Sequence, residues 1–398
     1  DGRDGDGGGD VRRRGDGTGG DAVAGGSAPA APAVAGSEPA PLDGFSLGPG
    51  AAATAPSVVP KTHYDPAEGR SVVTDFLRSH TCYDAIPESG KVVVFDAEVP
   101  LRLAFYALVE HDLHAAPVWS AERGGVDGML TTSDLIDVMR YYCAKDDLAS
   151  AFAEHTIASW REASDSPDIS WRPPEPVVVH PERSLLDAVV LLRDCRIHRL
   201  PVIDPDNNTT LSVLSHWDMM RYLVTQFREE RPLFNSTVEE LELGRAADVA
   251  VAADTPLIDV LSHMMAARLS VVAIVDPADG TVLDVWSRRD TKFLAHDPSL
   301  ESLHMAVGEV RAAQVAGGHA PHTLHTCSRT DTLQSVIEAF GGTQVHWLVC
   351  VDDDNRCLSV ITIQDIFEYF VGPLGSAVPA SLASREGGGG AGGGGRGG

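Results

Sequence analysis

Apolar and polar positions along residues 92–371 follow one order that occurs four times. Each copy consists of an apolar strand, an amphipathic helix, two strands joined by a polar turn, and a second helix. Short uninterrupted apolar runs favour buried strands, and apolar residues spaced three to four apart favour helices. In the first copy we predict strands at 92–95, 115–119 and 129–130, and a helix at 101–109.

The second helix of every copy has an aspartate at its start: Asp134, Asp218, Asp290 and Asp365. These aspartates recur 72 to 84 residues apart, as expected for a small repeated module. A carboxylate at this position accepts hydrogen bonds from the unpaired backbone N–H groups of the first turn. Each aspartate is therefore either a helix N-cap or an acceptor for a ligand.

Strands and helices mixed in units of this size predict an α+β fold of four modules arranged as two tandem pairs. We predict repeats at 71–146, 172–230, 243–298 and 320–372, with linkers at about 143–176, 232–243 and 299–322. Residues 1–57 contain almost nothing large to bury, and residues 384–398 are mostly glycine. Both ends are predicted to be disordered.

Charge and cysteine content limit the possible partners and compartment. The net charge of −26 disfavours nucleic acid and anionic membranes as partners, so a phosphate ligand would need a local basic pocket. No apolar run reaches the ~18 residues of a membrane span. The six cysteines have no metal-site spacing and are expected to be reduced thiols. We expect a soluble protein of the cytoplasm or nucleus.

Four segments resemble one family in amino-acid sequence as well as in hydrophobic pattern: SHTCYDAIPESGKVVVFD, AFYALVEHDLHAAPVW, GMLTTSDLIDVMRYY and IHRLPVIDP. They are similar to cystathionine-β-synthase (CBS) repeats, and among these to the gamma subunit of AMP-activated protein kinase. The resemblance covers about 71–372 and is poor at 311–326.

The resemblance implies that the helix-start aspartates accept both ribose hydroxyls of a nucleotide, while cations from several repeats hold its phosphates around a central cavity. The positions matching the family's nucleotide-binding motifs are Thr131, Asp134, His198, Arg199, Asp218, Ala250, Arg268, Ser270, Ser287, Arg288, Asp290, His346, Thr362 and Asp365. Without the resemblance, Arg268 and Arg288 are equally well explained as surface or helix-end residues.

The chain departs from the family at several cationic positions. His114 replaces an arginine, Trp347 replaces another, and Arg245 replaces a threonine. Trp217 and Asp218 replace a Lys-Arg pair, whose arginine in animal gamma subunits leaves the second site empty. Asp218 should make that site open to adenosine, with Trp217 and Trp347 available for stacking on adenine or simply for packing.

The resemblance implies a non-catalytic subunit without a cofactor, regulated by AMP, ADP or ATP and assembled with an alpha-type kinase and a beta-type scaffold. A CBS scaffold that has lost nucleotide sensing is the alternative, favoured by the departures above. An enzyme carrying regulatory repeats is a weaker alternative, because the folded region contains none of the common catalytic or nucleotide-loop motifs. His319, His322 and His325 have a spacing that metal sites use, but we expect no metal there.

Overall fold

The computed structural model describes residues 66–87, 92–143, 155–163, 173, 175–227, 232–246, 248–295, 301–317, 323–342 and 345–372. All of them belong to one compact unit, Lys61–Gly398. Both ends predicted to be disordered lie outside the described residues.

Four repeats of mixed helix and strand make up this unit, which confirms the predicted α+β class. The first comprises β1 (Phe95–Asp96), α2 (Leu101–Glu110), β2 (Ala115–Ser120), β3 (Gly125–Thr131) and α3 (Thr132–Cys143). The second comprises α5 (Leu185–Asp194), β4 (Arg199–Ile203), β5 (Thr210–Ser215) and α6 (His216–Gln226). The third comprises β6 (Ala250–Ala252), α7 (Leu257–Ala266), β7 (Val271–Val275), β8 (Val282–Ser287) and a 3-10 helix, Asp290–Ala295. The fourth comprises β9 (Thr326–Cys327), α9 (Leu333–Gly342), β10 (Trp347–Val351), β11 (Cys357–Thr362) and α10 (Ile363–Val371).

The two longer strands of each repeat pair antiparallel across a tight turn, and where a short first strand is present it pairs in parallel. Each turn contains a residue with left-handed backbone: Gly124, Asn208, Gly280 and Asn355. Glycine and asparagine tolerate this conformation better than other residues. The polar turns recognised in the sequence therefore have a local physical cause.

The four repeats share two hydrophobic cores. One core is built mainly from repeats 1 and 3 and contains Trp160 and Trp286, while the other joins repeats 2 and 4 around Phe340 and Phe367. Contacts between turns connect repeat 1 with repeat 2 and repeat 3 with repeat 4. Asn208 Nδ2 donates to the carbonyl oxygen of residue 124 at 2.9 Å, and Val282 N donates to the carbonyl oxygen of residue 355 at 2.9 Å. Each repeat thus contacts two others, and the four form two tandem pairs as predicted.

Within the described residues, three α-helices lie outside the repeats proper: α1 (Pro66–Ser79), α4 (Ile157–Ala163) and α8 (Val307–Ala316). Helices α4 and α8 lie in segments that the sequence predicted as linkers. Each buries apolar side chains, Trp160 in α4 and Val307 in α8 among them, so packing rather than connection explains their formation. Helix α1 packs its Val73 and Leu77 into the core of repeats 2 and 4, although its second half falls within the predicted first repeat.

No helix in the described part of the chain is long and apolar enough to span a bilayer. All six cysteines, which the structure describes, are present as free thiols.

Candidate functional site

The four helix-start aspartates are not N-caps. Asp134, Asp218 and Asp365 are each the third residue of their helix, whereas Asp290 is the first residue of a 3-10 helix. In all four repeats Oδ2 accepts from the backbone N–H and the hydroxyl of a serine or threonine three residues earlier. The hydroxyl distances are 2.9 Å from Thr131, 2.6 Å from Ser215, 2.6 Å from Ser287 and 2.7 Å from Thr362. In α6 and α10 the returning backbone bond completes a capping box. The expectation of an aspartate N-cap was wrong by three positions, because the shorter hydroxyl side chain occupies that role.

This geometry gives the aspartates a structural role whether or not a ligand binds. The hydrogen bonds between Oδ2 and the preceding hydroxyl residue explain why the two residue types recur together in four repeats, so the repetition by itself does not indicate binding. A carboxylate has about four acceptor positions on two oxygens. Since the cap uses Oδ2 in each repeat, ligand recognition would depend on what lies near Oδ1.

The structure brings cationic and histidine side chains from all four repeats to one central region. Arg199 is close enough to influence the pKa of His114 in repeat 1, His198 and His216 in repeat 2, and His346 in repeat 4. Burial lowers the pKa of Arg199 to about 10, while the negative charge of Asp218 opposes this effect. Arg199 therefore remains charged at neutral pH.

The histidines of this central region are neutral at pH 7. Burial, assisted by neighbouring cations, lowers the pKa of His114 to about 2 and of His216 and His346 to about 4. His114 Nδ1 is buried without a hydrogen-bond partner among the described residues. His114, which stands where the family has an arginine, therefore carries no positive charge at physiological pH.

His198 indicates that water reaches the central region. Its side chain is exposed, yet burial among protein atoms and the charge of Arg288 lower its pKa to about 3. The two observations fit a side chain that faces an internal, water-accessible space with protein on all sides. Water in such a space screens charge, so electrostatic interactions of His198 are weaker than in a dry core.

Two cations of the central region were missed from the sequence. Arg289 acts on the pKa of His114, His346 and Arg199, and Lys292 acts on that of His114. Lys292 also pairs with Asp112 of repeat 1 at 2.9 Å. Both cations lie within two residues of Asp290 in the sequence. That proximity was a usable signal, but only the packing of repeat 3 against repeat 1 directs the two side chains to the centre.

Arg288 joins repeats 1 and 3. Its Nε donates to the carbonyl oxygen of Leu269 at 2.9 Å, and its Nη1 donates to Ser133 Oγ at 2.8 Å. Burial lowers its pKa to about 10, and the charge of Asp137 opposes this. A charged guanidinium is thereby held beside the first turn of α3, next to Asp134.

The remaining predicted residues have other placements. Arg268 is exposed with left-handed backbone after α7, and Ala250 is exposed at the start of β6. Ser270 accepts through its carbonyl oxygen from Arg288 N at 3.1 Å. The structure therefore places Ser270 beside Arg288, whereas Arg268 and Ala250 lie on exposed surface.

Of the two tryptophans that replace cations, Trp217 packs against the core of repeats 2 and 4, and Trp347 packs against the core of repeats 1 and 3. The ring of Trp217 is 6.1 Å from that of His346 and lies 5.0 Å from the guanidinium of Arg221. Trp347 stacks on His346 at 6.3 Å with 29° between the rings. Both have packing partners, and stacking on adenine stays a prediction.

Arg245 lies near the fourth aspartate. Burial raises the pKa of Asp365, and the positive charge of Arg245 counteracts this. Nη1 of Arg245 donates to the carbonyl oxygens of Ala267 and Arg268 at 3.3 and 3.4 Å. The arginine that replaces the expected threonine thus adds positive charge on the side of Asp365.

Two other possible sites lie apart from the central region. A cavity of about 340 Å³ between repeats 1 and 2, lined by Arg123, Val126 and Asn208 among others, contains none of the predicted nucleotide residues. Within the described residues no group of three histidine, cysteine or acidic side chains could hold a metal ion. Of the three spaced histidines only His325 is described.

The fold and this central arrangement define a CBS-repeat protein. The CBS domain family model matches residues 86–141, 168–225 and 322–372. A Methanocaldococcus jannaschii protein, described as an archaeal homologue of the AMP-activated kinase gamma subunit, has the same fold with a TM-score of 0.57. It is 17% identical, and the alignment covers 73% of this chain and all of that protein.

Curated relatives indicate which group of CBS-repeat proteins the chain resembles. The chain is 35% identical over 318 residues to the AMP-activated protein kinase subunit gamma of Dictyostelium discoideum, covering 78% of this chain and 54% of the relative. The gamma-3 subunits of Bos taurus and Homo sapiens are 34% and 32% identical over 76% of the chain, which spans 60% and 61% of their length. The repeat region of the chain is thus similar to AMP-activated protein kinase gamma subunits. The chain spans little more than half the length of these relatives.

Proposed function

We propose that the chain is a non-catalytic regulatory subunit that senses AMP, ADP or ATP, without a cofactor, and controls a protein kinase. The observation that carries this proposal is a water-accessible centre that brings together the side chains of Arg199, Arg288, Arg289 and Lys292 inside a protein of net charge −26. Phosphate groups fit such a cluster, because arginine presents paired donors to their oxygens. Asp218, whose negative charge acts on Arg199, offers acceptors for ribose hydroxyls beside the cluster.

Arg289 and Lys292 also weaken the alternative of a scaffold without nucleotide sensing. That alternative arose from cations missing at positions 114, 217 and 347. The central region holds cations from other positions of repeat 3, so its charge is retained with a different distribution. We therefore favour sensing over a purely structural role.

A thermal-shift experiment tests the proposal directly. AMP or ATP at millimolar concentration should raise the melting temperature, since a ligand that binds only the folded state stabilises it, by about 2.7 kcal/mol at 100 times its Kd. Arg199→Ala should weaken the affinity by ~1.5–3 kcal/mol, the value of a charge-assisted hydrogen bond. Arg329→Ala, on the exposed surface, is the matched control. No shift with any of the three nucleotides would refute sensing.

We further propose that an alpha-type kinase and a beta-type scaffold are the partners, in the cytoplasm or nucleus. Two large side chains in the first described part of the chain are exposed: Tyr83 is 67% exposed and Leu103 is 57% exposed. Their exposure supports a docking surface there. Exposed aromatic and aliphatic side chains of this kind anchor protein interfaces.

Affinity purification from the native cell with mass spectrometry checks this assignment. The wild-type chain should recover a kinase and its scaffold, and Tyr83→Ser should recover several-fold less because an interface anchor is truncated. Leu283→Ser, which alters a residue 53% exposed in repeat 3, should recover the wild-type amount. Recovery of a channel or a metabolic enzyme in place of a kinase would reject the partner assignment.

A further inference from the structure

Repeat 3 differs from the others in the helix that carries its aspartate. Asp290 begins a 3-10 helix of six residues, whereas α3, α6 and α10 have 12, 11 and 9 residues. As in the other repeats, Oδ2 of Asp290 accepts from the N–H and the hydroxyl of Ser287, at 2.7 and 2.6 Å. Recognition of a ribose here would therefore depend on Oδ1.

Arg311 lies against that second oxygen. Its Nη1 is 3.5 Å from Asp290 Oδ1, and the two side chains are 9% and 7% exposed. The same guanidinium donates from Nε to Asp284 Oδ2 at 3.0 Å, and from Nη1 to Gln314 Oε1 at 2.9 Å. It also lies 5.9 Å from the ring centre of Trp286. Both carboxylate oxygens of Asp290 are thus engaged by the protein itself.

The position of Arg311 is fixed by the start of α8. Val307 N donates to the carbonyl oxygen of Thr255 at 2.8 Å, and Gly308 N donates to that of Ala253 at 3.0 Å. A Cβ at Gly308 would lie 3.0 Å from the same Ala253 oxygen, so only glycine permits this approach without displacement. The helix therefore holds Arg311 in place one turn later. Arg311 is not a mobile surface side chain.

The Arg311 guanidinium is also largely buried at this position. Its Nη2 is buried without a hydrogen-bond partner among the described residues. Burying a donor without a hydrogen-bond partner costs free energy, and it is tolerated only when the remaining contacts of the guanidinium compensate for that cost. By contrast, no basic side chain of the described residues lies within ion-pair distance of Asp218 or Asp365.

We propose that Arg311 closes the ribose position of repeat 3, so that nucleotide occupies pockets of the other repeats only. The inference rests on the proposed nucleotide sensing. A ribose at Asp290 would have to displace an ion-paired guanidinium that Asp284, Gln314 and Trp286 also hold in place. Arg311 therefore determines which repeats take a nucleotide.

The test counts bound AMP per chain by equilibrium dialysis in the full-length protein and its variants. Arg311→Met should bind one AMP more than wild type. The double variant Arg311→Met with Asp284→Asn should also bind one AMP more than wild type. The second substitution removes the negative charge of Asp284, which would otherwise lose its partner, and so protects the fold. Asp290→Asn in the wild-type background should leave the count unchanged, because its site is already closed. Arg329→Met, which removes an exposed arginine of similar size, should also match wild type.

The outcomes separate this inference from the proposed function. If wild type binds AMP and both Arg311 variants bind the same number, Arg311 does not close a site and the inference fails alone. A lower count in Asp290→Asn than in wild type would also overturn it. If wild type binds none while an Arg311 variant binds one, the inference stands and the proposed function fails. Absence of binding in every protein overturns both.

Discussion

Acidification from pH 7 to pH 5.5 should lower the free energy of unfolding by about 3 kcal/mol. His114, His216 and His346 have pKa values of about 2, 4 and 4 in the folded protein. A histidine in an unfolded chain has a pKa near 6.5, so the unfolded state binds protons that the folded state does not. Each group then costs about 1.3 kcal/mol at pH 5.5, and water in the central region reduces the total for three.

The sign follows from the direction of the pKa shifts. Because the folded-state pKa values lie below the unfolded value, the stability is complete above about pH 6.5 and is lost as the pH falls toward the folded values. Burial raises the pKa of Asp365, so protonation of that group works in the opposite direction. Reduced repulsion as the net charge falls toward the pI of 4.8 also opposes the loss.

Urea unfolding at pH 7.0, 6.5, 6.0 and 5.5 measures this effect and stays above the pI. His216→Gln is the informative variant, because it should reduce the slope by roughly 1.4 kcal/mol per pH unit at the acid end. His325→Gln serves as a control outside the central region. Stability that is flat or rises on acidification would show that these histidines are hydrated enough to protonate in the folded protein.

The sequence was most informative where structure depends on neighbouring residues. The strand order, the polar turns and the aspartate positions are set by local spacing, and they were predicted. The capping role was also predictable, since a hydroxyl residue stands three positions before each aspartate, at 131, 215, 287 and 362. The sequence left helix capping and ribose binding open as alternatives for these aspartates.

The central charges were less predictable, because they depend on packing between repeats. Arg289 and Lys292 reach the centre through contacts of repeat 3 with repeat 1, as the pairing of Lys292 with Asp112 shows. Arg311 belongs to a segment where the resemblance is poor, and that segment was predicted as a linker. Sequence spacing alone could not indicate that it meets an aspartate 21 residues earlier.

Asp218→Arg should destabilise the protein by about 4 kcal/mol. The substitution removes the partner of Ser215 in the capping box, which costs roughly 1 kcal/mol. It also replaces the negative charge that stabilises charged Arg199 with a second positive one. Like charges a few ångströms apart cost roughly 3 kcal/mol at an effective dielectric of about 20. A loss of nucleotide binding in this variant would therefore reflect damage to the fold as much as to a pocket.

Asp218→Asn separates the two roles of Asp218. Its amide oxygen can still accept from Ser215 N and Oγ, so we expect a loss below about 1 kcal/mol in stability. The bound AMP count should nevertheless fall by one, because an amide offers a ribose one acceptor oxygen and no negative charge. Asp84→Asn is a matched control, since Asp84 Oδ2 accepts from Thr81 N and Oγ1 at 2.7 and 2.8 Å in the same local motif on an exposed surface. An unchanged AMP count in Asp218→Asn, with stability also unchanged, would leave Asp218 as a helix-capping residue and exclude the second repeat as a nucleotide site.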